Sequence, residues 1–155
     1  LVMPEHIDLA VDALVEDENV NVSILVNSFS KRSSPSDIKV VLDQNDNVMY
    51  LSRSDIPSDY RTKNAPLLKA YHILPFRKDF LMEYAQWERG YLEKIEYHEH
   101  LRILERGHKI KAVQVNSHGI SVDTKEDLFE VRDLMKKDVH YKAVLNSMKG
   151  INNEF

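Results

Sequence analysis

The strongest constraint on the fold is the way two hydrophobic rhythms alternate along the chain. Pro4-Glu5 leads into Ile7, Ala10, Val11 and Leu14, the spacing of one helical face. Proline near the start and acidic Glu5 and Asp8 in the first turns suit a helix amino end. Val20 to Phe29 is β-rich and reads as a strand. Ile38–Leu42 and Val48–Leu51 read as two more, joined by the turn Asp43–Asn47 into a hairpin. Ser52 to Pro66 holds two prolines and many polar groups, so it reads as a long loop. Leu67–Phe76 is a predicted strand. Arg77–Trp87 and Leu92–Glu105 are predicted helices, with Gly90 between them and Gly107 as a stop. Lys109–Val115 alternates as a strand, Gly119–Val122 is a short one, Thr124–Met135 is a helix, and the tail from Lys136 extends it before fraying. Interleaved helices and strands predict an α/β layered fold. The domain expected over residues 1–137 is followed by a tail extension over 138–155.

Composition narrows the function. A chain of 155 residues is long enough for one domain with a core. Net charge is −4, which argues against broad nucleic-acid binding. With no cysteine there is no disulfide, thiolate metal site or cysteine nucleophile, which fits a reducing compartment. No apolar run approaches the roughly 20 residues of a membrane span. The four glycines form no phosphate loop, and there is no Gly-x-Ser-x-Gly elbow. The chain opens on Leu1 rather than Met and reads as cut from something longer.

Three constellations can carry chemistry. Asp123, at the expected carboxyl end of a strand, can hold a magnesium ion bridging phosphate oxygens. The same stretch reads as a helix cap, Thr124 with Asp127 as its box partner, and both readings can hold together. Glu93, Glu96 and Glu99 recur every three residues and share a helix face, either solvated or receiving sugar hydroxyls. His98 and His100 stand two apart and do not face one way on a helix. The zinc-protease spacing fails because position 102 is Arg. Arg53 leaves a strand into a loop, where it either lies on the surface of an Ile-Pro turn or forks onto a carboxylate or phosphate.

The order of these motifs resembles the 3-deoxy-manno-octulosonate (KDO) cytidylyltransferase family, also called CMP-KDO synthetases. The resemblance rests on Ile38–Asp43, Tyr50–Pro57, Leu92–Arg102 and Val122–Leu128. In addition, Leu1-Val2-x-Pro4-Glu5 is similar to the residues directly after the family's Asp-Glu-Pro turn. The resemblance implies a nucleotide-diphospho-sugar transferase-like layered fold with a mixed sheet, of which this chain is the carboxyl-terminal portion, its amino-terminal nucleotide-binding half missing. It implies coupling of CTP to an acidic sugar with release of pyrophosphate, the sugar's anomeric hydroxyl attacking the α-phosphate. Asp123 is then the catalytic magnesium ligand, and Arg53, Glu99 and His100 bind substrate. A cytoplasmic homodimer in surface-sugar biosynthesis is implied by the same resemblance, with no nucleic acid or membrane partner. The resemblance also implies that this chain alone is inactive; the alternative is a truncated, non-catalytic member serving as a dimerisation module. The chain departs from the family where His and Tyr on a strand become Ala70 and Leu74, Glu-Gln becomes Glu99-His100, and Ser-Pro becomes Gly90-Tyr91. These departures point toward a sugar acid related to KDO.

Overall fold

The computed structural model describes residues 2–71, 73–116, 122 and 124–151. The chain divides into two compact units, Met3–Ser117 and Leu1–Val2 with His118–Phe155.

The larger unit is built on a mixed five-stranded sheet. Its strands are β1 (Ser23–Phe29), β2 (Lys39–Leu42), β3 (Val48–Ser52), β4 (Leu67–Tyr71) and β5 (Lys111–Gln114), in the order β3-β2-β4-β1-β5. Only β1 and β5 run parallel, with Ile24 opposite Ala112; the other neighbours are antiparallel. The parallel pair needs a long crossover, and helices supply it. These are α2 (Lys78–Tyr84), α3 (Tyr91–Glu96) and α4 (Leu101–Glu105). The first helix, α1 (Pro4–Glu16), covers the opposite face.

β1 shows why the sheet lies in the middle. Ser23 through Asn27 are all buried, so both faces of this strand are covered. Leu25 packs with Ala10 of α1 and Val115. Ile24 and Val26 face the other way, into a core with Phe80, Leu101 and Ile103. Each fully buried Leu or Ile here contributes roughly 1.5–3 kcal/mol relative to exposure. Two side chains tie α1 down. The Ser23 hydroxyl donates to the Ala10 carbonyl at 2.5 Å. Arg77 donates to the carbonyls of Leu14, Asp17 and Val20, so the last turn of α1, which carries no basic residue of its own, acquires a cation.

The hairpin forms as the sequence predicts, with Val40 opposite Leu51. Asp43 organises its turn: one carboxylate oxygen accepts the Asn45 and Asn47 amides at 2.8 Å, and the other accepts the Asn47 side chain at 2.9 Å. Those bonds hold the Asp43 carboxyl below the usual carboxylate range.

Lys39 on β2 is fully buried, yet its charge is satisfied. Its ammonium donates to the carbonyls of Ser34 and Asp37, both at 2.7 Å, and of Arg53, with the Asp55 carboxylate 3.7 Å away. Three donors thus meet three carbonyls. The lysine fastens the loop after β1 to the loop after β3.

Two elements differ from expectation. β4 ends at Tyr71 rather than reaching Phe76, because the chain turns toward Pro75, whose carbonyl accepts the Ser23 amide at 3.3 Å. The single helix predicted over Leu92–Glu105 is instead α3 and α4, broken at Tyr97, which is left-handed at φ 50° and ψ 48°.

In the smaller unit, α5 (Lys125–Lys137) begins with the predicted cap. The Thr124 hydroxyl accepts from the Asp127 amide at 3.1 Å, and the Asp127 carboxylate accepts from the Thr124 amide at 2.8 Å. Asp138 is extended and separates α5 from α6 (Val139–Ile151), so the tail forms a second helix instead of extending the first, and the division into compact units falls at Ser117/His118. The strand expected over Gly119–Val122 lies, except for Val122, outside the described residues.

Candidate active site

The break at Tyr97 creates the most developed polar constellation in the larger unit. A left-handed conformation in a residue with a Cβ costs roughly 1–2 kcal/mol, so tertiary contacts must hold it. They come from the hairpin. The Glu96 carboxylate accepts from the Ser52 hydroxyl at 2.8 Å and from the Arg53 amide at 3.0 Å, with the Tyr50 hydroxyl at 3.4 Å. Burial, and then Glu96, push the Tyr50 hydroxyl above the usual tyrosine range.

Arg53 completes the clasp. It donates to the carbonyls of Glu96 at 2.8 Å, Pro35 at 2.8 Å and Tyr97 at 3.2 Å. The guanidinium therefore closes the end of α3 instead of forking onto an anion. It does reach the junction that carries Glu99 and His100, so three of the four residues predicted from sequence share one region. The fourth, Asp123, lies outside the described residues.

The three glutamates do not form one solvated face. Glu93 is buried and accepts two parallel bonds from Arg102, each 2.7 Å. Those bonds hold its carboxyl below the ordinary glutamate range, and Glu93 raises the Arg102 guanidinium further in turn. Arg102 also donates to the Trp87 carbonyl at 2.9 Å and lies 4.8 Å over the Tyr84 ring. Glu96 serves the clasp. Only Glu99 of the three stands well exposed, its side chain at 63%.

The histidines also depart from expectation. With the helix interrupted, the rings of His98 and His100 meet edge to face at 4.5 Å, and both are buried. The His100 Nε2 lies 3.7 Å from a Glu99 oxygen, so a protonated His100 would hold the carboxylate in place rather than itself face solvent. Among the described residues no group of three or more His, Asp or Glu can hold a metal ion.

Next to this junction is a cavity of about 400 Å³, lined by Arg89, Glu93, Lys94, Tyr97, Glu99 and Arg102 with His98. Its volume lies at the small end of the range for ligand pockets. Sequence reasoning found Glu99 through its spacing but not Arg89, Lys94 or Arg102. The Glu93–Arg102 pair is nine residues apart and meets only because the chain folds back at Tyr97.

A mixed sheet with helices on both faces places the chain among layered α/β proteins. Comparison with known proteins narrows that class. The model of the family described as "Cytidylyltransferase" matches residues 1–110. The chain belongs to that family. The 3-deoxy-manno-octulosonate cytidylyltransferase of Fusobacterium nucleatum is 33% identical over 141 residues, covering 89% of this chain and 58% of the relative. That of Geotalea uraniireducens is 35% identical over 151 residues, covering 88% and 60%. A solved CMP:2-keto-3-deoxy-manno-octonic acid synthetase, complexed with CTP, matches with a TM-score of 0.81 and 30% identity over 88% of this chain and 57% of its own. The chain thus spans less than two thirds of the length of these relatives. The expectation that it is a carboxyl-terminal portion lacking a nucleotide-binding half is not supported. Among the described residues no helix is long and apolar enough to cross a membrane.

Proposed function

We propose that this chain serves a cytidylyltransferase that couples CTP to a 3-deoxy-octulosonate-type sugar acid, yielding a CMP-sugar and pyrophosphate. The family supports the reaction type, and the names of the relatives support the two substrates. The observation that carries the reading is the junction of α3 and α4. It places an exposed carboxylate, Glu99, on the rim of a ligand-sized cavity in a chain of this family.

The chemistry asks for positioning more than for covalent help. The anomeric hydroxyl oxygen attacks the α-phosphorus. The bond from that phosphorus to the β-phosphate oxygen breaks, pyrophosphate leaves, and the hydroxyl proton passes to solvent. Glu99 accepts hydrogen bonds from sugar hydroxyls, which orients the ring. His100 lies behind it, its Nε2 3.7 Å from that carboxylate. Arg53 acts through position: by holding the Glu96 and Tyr97 carbonyls it maintains the turn on which Glu99 sits. Magnesium, assigned to Asp123 by family resemblance, would neutralise phosphate charge when bound. A cytoplasmic homodimer working in lipopolysaccharide or other surface-sugar synthesis belongs to the same proposal, as does inactivity of the 155-residue chain by itself.

The test is a pyrophosphate-release assay on the full product of the reading frame that carries this sequence, with CTP, magnesium and a panel of sugar acids. Release is expected only when CTP, the metal and an acidic sugar are all present. Asp123→Asn is expected to lower it severely while circular dichroism stays unchanged. Release that ignores the sugar acid would refute the reading.

A further inference from the structure

The charges around the α3–α4 cavity do not balance. Arg53 is engaged with three carbonyls. Arg102 is matched by Glu93 through two bonds of 2.7 Å. Arg89 then approaches the same carboxylate, its Nε 3.7 Å from the Glu93 oxygen that already accepts from Arg102. One carboxylate between two guanidinium groups leaves a positive charge over. Lys94, on the same wall, is exposed. Against Arg89, Lys94 and Arg102 the cavity sets only Glu93 and Glu99 among its lining carboxylates. Its wall is thus net positive in a chain whose formal charge is −4.

Gly90 precedes α3, and a Cβ on it would lie 1.9 Å from a Glu105 carboxylate oxygen. Because Gly90 has none, Glu105 can close in and accept the Leu92 amide at 2.9 Å. The Glu105 carboxylate thus caps the start of α3, next to Arg89. Gly90-Tyr91 is one of the places where the sequence departs from the pattern it resembles.

We propose that Arg89 and Lys94 bind an oxyanion in this cavity and so set the acidic-substrate preference of this chain. The inference rests on the cytidylyltransferase reading and deepens it. The oxyanion is either the carboxylate of the sugar acid or a phosphate of the nucleotide. Arg89 supplies a planar fork suited to either, and Lys94 a point charge beside it. Glu99, on the same rim, disfavours a second anion nearby and offers a carboxylate that can accept from hydroxyls. An acidic polyol matches that division better than a bare anion does.

The experiment is calorimetric titration of the protein with 3-deoxy-manno-octulosonate and, separately, with CTP. The variants are Arg89→Gln and Lys94→Gln, with Lys142→Gln on α6 as a control. Each cavity variant is expected to weaken one probe by roughly 10-fold, the scale of a hydrogen bond to a charged group, and to reduce its salt dependence, while the control matches the parent. Weakening of the sugar acid identifies the carboxylate as the oxyanion, and weakening of CTP identifies the phosphate. Equal affinities in parent and variants, or no binding of either probe, would overturn the inference. Pyrophosphate release is measured in parallel. Unchanged binding with release intact rejects the inference but not the enzyme; variant-sensitive binding without release does the reverse.

Discussion

Replacing Arg102 by methionine tests whether the α3–α4 junction is held by its buried ion pair. Glu93 and Arg102 have side chains only 7% and 14% exposed, and they meet through two bonds of 2.7 Å. Removing one partner of such a pair costs about 3–5 kcal/mol where it strands the other charge, and Arg89, 3.7 Å from Glu93, offsets part of that. The change also removes the donor to the Trp87 carbonyl and the contact over the Tyr84 ring. Methionine retains most of the stem packing, so the lower end applies, about 3 kcal/mol. For a chain of this length that corresponds to a fall in Tm of roughly 6–12 °C. Urea denaturation gives the free energy directly. The informative control is the double variant Glu93→Met/Arg102→Met. With neither charge left it is expected to be more stable than Arg102→Met alone by at least about 1 kcal/mol, since apolar replacement of a whole buried pair is often close to neutral. If the double variant instead loses the sum of the two single losses, the residues are not coupled and the account of the junction is wrong.

The same pair predicts a pH dependence. Arg102 lowers the Glu93 carboxyl in the folded state. Its contribution is therefore fully present above the unfolded value, about 4.3, and lost as pH falls through the lower folded value. The urea midpoint of the parent should fall between pH 5 and pH 3 more steeply than that of Glu93→Gln; parallel curves would remove Glu93 from the effect. Lys39→Met strips the donor from three carbonyls and should cost about 2–4 kcal/mol with faster proteolysis in the loops around Ser34 and Arg53, and a midpoint within error of the parent would show that the ammonium does not hold them. Thr124→Ala removes the α5 cap and should cost about 1 kcal/mol of local helix stability, seen as faster amide exchange at Asp127; unchanged exchange would count against the capping box.

What could be read from the residues divides along a physical line. Interactions between near neighbours were legible. Pro4 starting α1, the Asp43–Asn47 turn joining β2 to β3, and the Thr124–Asp127 box all depend on groups within four residues of one another. Interactions imposed by tertiary contact were not. No glycine marks the left-handed turn at Tyr97; it exists because Glu96 and Arg53, 43 residues apart, bind each other across the hairpin. Once that break is missed, Glu93 and Glu96 look like a solvated stripe, and His98 and His100 look too poorly spaced to meet. Likewise, nothing about Lys39 in a β-rich run shows that three carbonyls will surround it. Motif order thus pointed to Arg53, Glu99 and His100, which the fold brings to one junction, while the groups that shape that junction stayed hidden.

A crystal of the protein soaked with 3-deoxy-manno-octulosonate tests the central claim most directly. The account predicts sugar density in the cavity at the α3–α4 junction, with hydroxyls within hydrogen-bond distance of Glu99. A well-ordered sugar bound elsewhere, with Glu99 turned to bulk solvent, would contradict it.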